Sequence, residues 1–194
     1  MPGRVPAEGS AGASRARSQA AGPTTSGPGP NPRSRRRIVV VGLGNPILGD
    51  DGVGWRVAGE VEARLAARGA GGEGVEVLCV GVGGLRLMEL LTGYDSAILV
   101  DAAEFAGRPE GEVRVCPFDE LEAGAAGHLD SAHDASLRTA LDLGRGLGAD
   151  LPRRIETVTI QARRTDVFSE ELSPAVAAAV PRAVEAVLRL LEAR

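Results

Sequence analysis

Ile38-Val-Val-Val-Gly-Leu-Gly-Asn-Pro-Ile-Leu-Gly-Asp-Asp-Gly-Val-Gly54 is an apolar run that opens into a glycine-rich loop closed by two carboxylates. The run reads as a buried strand and the loop as its turn into a helix. A phosphate-binding loop offers backbone N–H groups at a helix N-terminus, where anions are stabilised. Asp50 and Asp51 at that place repel phosphate and attract a cation. The dinucleotide fingerprint also fails: the third glycine of G-x-G-x-x-G falls on Ile47, and no acidic residue closes a second strand near Val77–Val80. The loop points to a metal rather than a nucleotide.

Outward from this stretch, short apolar runs alternate with helical periodicity. Strands are expected at 37–43, 75–80, 96–101, 112–116 and 155–161, and helices at 53–68, 85–92, 135–147 and 174–192. Val53, Val57, Val61 and Leu65 recur every four residues and give the first helix one apolar stripe. Ser173-Pro174 supplies a cap and a first-turn proline to the last helix, which Pro181 should kink or divide. The alternation predicts an α/β fold, a three-layer sandwich with a twisted, mostly parallel five-stranded sheet and helices on both faces.

Composition bounds the rest. A chain of 194 residues with 43% apolar content suits one globular domain. Residues 1–36 are rich in Pro, Gly, Ser and Arg with almost no large apolar residue, so a disordered tail is expected there, with a single domain over 37–194. Ser34-Arg-Arg-Arg-Ile38 imitates a twin-arginine signal, but the apolar run after it is broken and meets Asp50-Asp51. The formal charge of −4 combines a basic tail with an acidic domain, which argues against nucleic acid as a partner. No stretch is long and apolar enough for a membrane span. Cys79 and Cys116 form no metal-spaced set and no disulfide framework, which suits a reducing cytoplasm; Cys79, in an apolar run, is expected to be a small buried hydrophobe.

Three positions are candidate cation ligands. Asp51 follows the first strand, Asp101 ends the third, and His133 lies in the polar loop Asp130-Ser-Ala-His-Asp134. Ligands of open α/β sheets bind beyond the carboxyl ends of strands, where the strand order reverses. An order beginning 2-1-3 makes strands one and three neighbours there, so Asp51 and Asp101 converge. Each position has a plainer reading. Asp50 is expected to cap the first helix and Asp134 the third; Asp101 is alternatively a strand-end residue bonded to backbone; His133 is alternatively a surface histidine, and His128 receives no role. Two carboxylates and one imidazole leave coordination positions open, and nickel or zinc suits that donor set. Other hydrolytic designs are missing: there is no G-x-S-x-G and no H-E-x-x-H, and neither Ser131 nor Ser136 sits in an elbow.

Taken together, these motifs resemble the maturation endopeptidases of nickel–iron hydrogenases. The resemblance rests on Gly42-Leu-Gly-Asn45 followed by Asp50-Asp-Gly-Val-Gly54, on the strand ending at Asp101, on Ser131-Ala-His-Asp134, and on Leu172-Ser-Pro174. It implies a cytoplasmic hydrolase that removes the C-terminal extension of a hydrogenase large-subunit precursor once nickel is in place. It implies Asp51, Asp101 and His133 as metal-contacting and catalytic residues, with nickel borne transiently by the substrate and none held permanently. It also implies the five-stranded sheet expected above. Two stretches depart from the family pattern: Gly83-Gly-Leu-Arg-Leu87 carries Leu85 and Leu87 where a Thr and a Gly are usual, and Ala162-Arg-Arg164 replaces a Glu-Pro. A nickel-dependent recognition module without peptidase activity is the alternative, and a peptidyl-tRNA hydrolase-like esterase a more distant one. The latter shares Gly-Leu-Gly-Asn-Pro, but its Tyr and Thr-Arg-His-Asn motif do not follow here.

Overall fold

The computed structural model describes residues 36–69, 73–121, 129 and 136–193. The expected tail over residues 1–36 therefore falls almost wholly outside the described residues, as do His128 and His133. The described residues belong to one compact unit, Arg33–Arg194.

Within that unit the strands are β1 (Ile38–Leu43), β2 (Val75–Val80), β3 (Ser96–Ala103), β4 (Val113–Pro117) and β5 (Arg154–Gln161). The helices are α1 (Val53–Ala67), α2 (Gly84–Leu91), α3 (Leu137–Gly146) and α4 (Pro174–Glu192). The sheet order is β2-β1-β3-β5-β4, parallel except for the antiparallel edge pair β4–β5. This is the expected fold class, and strands one and three are neighbours as the 2-1-3 order requires.

Burial follows from the patterning. All six residues of β1 are buried, as a central parallel strand covered on both faces demands. One core gathers Val40, Ile98, Val100, Val158 and Ile160 with α1 and α4. Val53, Val57 and Val61 are fully buried in it and Leu65 is 9% exposed, so the four-residue stripe faces the sheet. The other face packs Val39, Val41, Leu43 and Leu99 against Leu87 and Leu91 of α2 and Leu137 and Leu141 of α3. Each such side chain contributes roughly 1.5–3 kcal/mol.

Several local expectations are corrected. Cys79 is exposed: β2 is an edge strand in which no residue is fully buried, so an apolar run there does not guarantee a core position. Pro181 does not divide α4, which runs as one helix from Pro174 to Glu192. Pro181 is on the exposed side, where helical hydrogen bonds are already longest, while Val176, Val180, Val184 and Val187 hold the other side to the sheet. Ser173 occupies the N-cap of α4 with Pro174 in its first turn, but its side chain makes no capping bond. Its hydroxyl instead donates to Glu110 at 3.0 Å. The N-cap of α3 is Ser136, whose Oγ accepts from the Thr139 N–H, so Asp134 is not that cap.

Candidate active site

Glycines determine where the first acidic loop can sit. A Cβ on Gly54 would lie 2.2 Å from the Leu43 carbonyl oxygen and 2.6 Å from that of Val100. A Cβ on Gly42 would lie 2.3 Å from the Gly54 carbonyl oxygen. Only hydrogen fits at either place, so the first turn of α1 lies directly on the carboxyl ends of β1 and β3. Gly44 adopts φ 122°, and a Cβ there would fall 1.8 Å from the Asp51 carbonyl oxygen. The signature glycines are therefore close-approach positions that press the acidic turn onto the strand ends.

Asp50 and Asp51 lie in a single 3-10 turn, Gly49–Gly52, that runs into α1 and packs against β3. They are neighbours in sequence with different tasks. Asp50 is fully buried, and its Oδ1 accepts from the Ser173 N–H at 2.6 Å. Its own N–H donates to the Arg164 carbonyl at 3.0 Å. Asp50 thus ties the loop to the N-terminus of α4, where a negative charge also meets the favourable end of the helix dipole. The expectation that Asp50 caps α1 is corrected: Gly52 occupies that N-cap, without a side-chain capping bond. Asp51 is 6% exposed, and its Oδ2 accepts from the Asn45 N–H at 2.6 Å. That bond aims the Asp51 carboxylate back toward the end of β1.

Asp101 is fully buried in β3, next to Val100, which pairs with Gly42 of β1. Its Oδ2 accepts from the Leu129 N–H at 3.2 Å. The turn that carries Asp51 packs against the strand that carries Asp101, at the carboxyl end of the sheet. Asp51 lies three residues before Gly54, Asp101 follows Val100, and Gly54 touches both strand ends. A backbone amide orients one oxygen of each carboxylate. A carboxylate has about four acceptor positions, so such a bond is compatible with metal ligation. The third candidate, His133, lies outside the described residues. Among the described residues, no group of three His, Cys, Asp or Glu side chains is placed to hold an ion.

Two polar residues on the same face of the sheet, Thr159 and Gln161, are 1% and 2% exposed and escaped the sequence reading. Their signal was the period of β5: Thr157, Thr159 and Gln161 alternate with Val158, Ile160 and Ala162 in a strand covered on both faces. The departures at Leu85 and Leu87 fall on α2, where Leu87 is core and Leu85 is 47% exposed. Arg163 and Arg164 are exposed, just beyond β5.

Comparison with known proteins agrees with this fold. Residues 56–190 match the family model HycI, hydrogenase maturation protease. The hydrogenase expression/formation protein HupD of Rhizobium leguminosarum bv. viciae is 28% identical over 155 residues, covering 80% of this chain and 74% of its own. The hydrogenase 2 maturation protease of Escherichia coli (strain K12) is 27% identical over 155 residues, covering 80% and 90% of the two chains. The [NiFe] hydrogenase maturation protease HybD from Thermococcus kodakarensis superposes with a TM-score of 0.55 at 28% identity, over 80% of this chain and 99% of that one.

Proposed function

The chain belongs to the hydrogenase maturation protease family, and from that premise we propose that it cuts the C-terminal extension from a nickel–iron hydrogenase large-subunit precursor after nickel insertion. It is an endopeptidase, and its chemistry is hydrolysis of a peptide bond. In this reading the precursor carries the nickel to the enzyme. Asp51, Asp101 and His133 contact the ion from one side while thiolates of the precursor hold the other. The enzyme needs no tight metal site of its own, and cleavage waits for metal insertion.

One observation supports the reading: two buried carboxylates from separate parts of the chain lie toward the carboxyl ends of adjacent parallel strands, and the turn that carries Asp51 packs against the strand that carries Asp101. The donor chemistry fits, since carboxylates and an imidazole suit nickel or zinc and leave positions open for substrate ligands. Contact with the ion fixes the precursor so that the scissile peptide bond is held at the site. Such positioning converts an encounter into an intramolecular geometry. A carboxylate of the pair accepts the proton of the attacking water as general base. Free Cys79 and Cys116 fit work in the cytoplasm, and no helix among the described residues is long and apolar enough to cross a membrane.

The test is cleavage of nickel-loaded and nickel-free precursor, with the product weighed by mass spectrometry. The wild type should shorten only the loaded precursor, and Asp51→Ala, Asp101→Ala and His133→Ala should leave it whole. Full cleavage by Asp51→Ala or His133→Ala would refute the assignment.

A further inference from the structure

The carboxyl end of the sheet carries polar side chains that the nickel contacts do not use. Asp101 lies opposite Thr159 in the β3–β5 register, and Thr159 lies opposite Arg114 in the β4–β5 register. Two residues further along the same strands, Gln161 lies opposite Ala103. Residues paired across a ladder share a face. Here it is the face on which Ala97, Leu99 and Ile155 meet α2 and α3.

Two of these residues end in buried donors. Gln161 Oε1 accepts from the Phe105 N–H at 2.9 Å. That bond settles which end of the amide is oxygen, so Nε2 with its two N–H groups points elsewhere. Among the described residues, neither Gln161 Nε2 nor the Thr159 hydroxyl has a hydrogen-bond partner. Phe105 joins the cluster a second way, with the Arg114 guanidinium carbon 4.8 Å from its ring centroid. Buried donors are nearly always bonded, and leaving two unbonded on alternate residues of one strand weakens a fold. Such a loss is retained where the groups serve a ligand.

We propose that the Thr159 hydroxyl and the Gln161 amide donate hydrogen bonds to the scissile peptide carbonyl, beside the carboxylates that contact nickel. This rests on the endopeptidase reading and adds catalytic residues to it. In the attack, the water oxygen bonds to the carbonyl carbon and gives its proton to a site carboxylate. The C=O π pair moves onto the carbonyl oxygen, which the two donors stabilise as an oxyanion. The pair then returns, the C–N bond breaks, and the proton passes to the departing amine nitrogen. Asp101 is as buried as Thr159. Whatever brings substrate to Asp101 therefore brings it to the residue opposite in register.

The experiment uses the full chain, a nickel-loaded precursor and two near-isosteric variants, with kcat, KM and unfolding midpoint measured for each. Thr159→Val replaces an unbonded hydroxyl by a methyl, so its midpoint should hold or rise while kcat falls about 10²–10³-fold with little change in KM. Gln161→Glu keeps an acceptor for the Phe105 N–H and removes both donors, and its kcat should fall by a similar factor. A structural role alone would lower the midpoint and spare kcat. Either variant turning over at the wild-type rate overturns the proposal. A wild type that leaves the precursor uncut overturns the endopeptidase reading and this proposal together, whereas a wild type that cuts separates the two.

Discussion

Replacing Gly54 by alanine probes the fit between the acidic turn and the strand ends. The new methyl would stand 2.2 Å from one backbone carbonyl oxygen and 2.6 Å from another, and neither belongs to a side chain that can swing away. Relief requires the first turn of α1 to lift by roughly 1 Å, a core distortion that costs about 1–3 kcal/mol or more. Gly59, in the same helix, is the internal control: a Cβ there meets nothing within 4 Å. Gly59→Ala should gain about 0.5–1 kcal/mol from helix propensity. The two variants make the same chemical change five residues apart, so their opposite signs isolate the packing effect. At about 2–4 °C per kcal/mol for a chain of this size, thermal unfolding resolves them easily. The lifted turn also carries Asp51, and a displacement of about 1 Å lowers cleavage by up to about 10²-fold. A Gly54→Ala protein as stable as Gly59→Ala, or destabilised yet fully active on loaded precursor, would refute this account of the glycines.

Other expectations follow from single contacts. Asp50→Ala removes a charge-assisted bond to the Ser173 N–H and should lower stability by about 1.5–3 kcal/mol in urea unfolding. Leu87→Ala empties a fully buried site on α2 and should cost about 2–5 kcal/mol, although this residue is one of the departures from the family pattern. Burial, and then its hydrogen bond to Glu76, pushes the Tyr94 hydroxyl from 10.0 up to about 12. The folded state therefore holds that proton where the unfolded chain releases it, so this stabilisation is complete below pH 10 and lost as pH rises toward 12. Tyr94→Phe should flatten the fall in unfolding midpoint across that window; an unchanged slope would show that Tyr94 is not its source.

Much of the fold was legible because periodicity and burial agree. The strand at 75–80 and the helix at 174–192 coincide with β2 and α4, and the strand order at β1 follows from crossover connections between parallel strands. What stayed hidden depends on contacts distant in sequence. Asp50 resembles a local helix cap until Ser173, 123 residues away, is seen to hold it. Cys79 resembles a core residue until β2 proves to be an edge. The positions of Asp51 after β1 and of Asp101 near the end of β3 were readable, because those strands were. Thr159 and Gln161 were not, since a polar residue on a strand points outward or inward according to neighbours that the sequence alone does not name.

The central claim is that a divalent ion sits between Asp51 and Asp101 with His133 completing the set. A crystal of the full chain soaked in zinc addresses it directly. Anomalous scattering should place one ion with oxygens of both carboxylates and a ring nitrogen of the histidine at about 2.0–2.2 Å. Zinc bound elsewhere, or at only one of the two aspartates with the other turned away, would contradict the shared site.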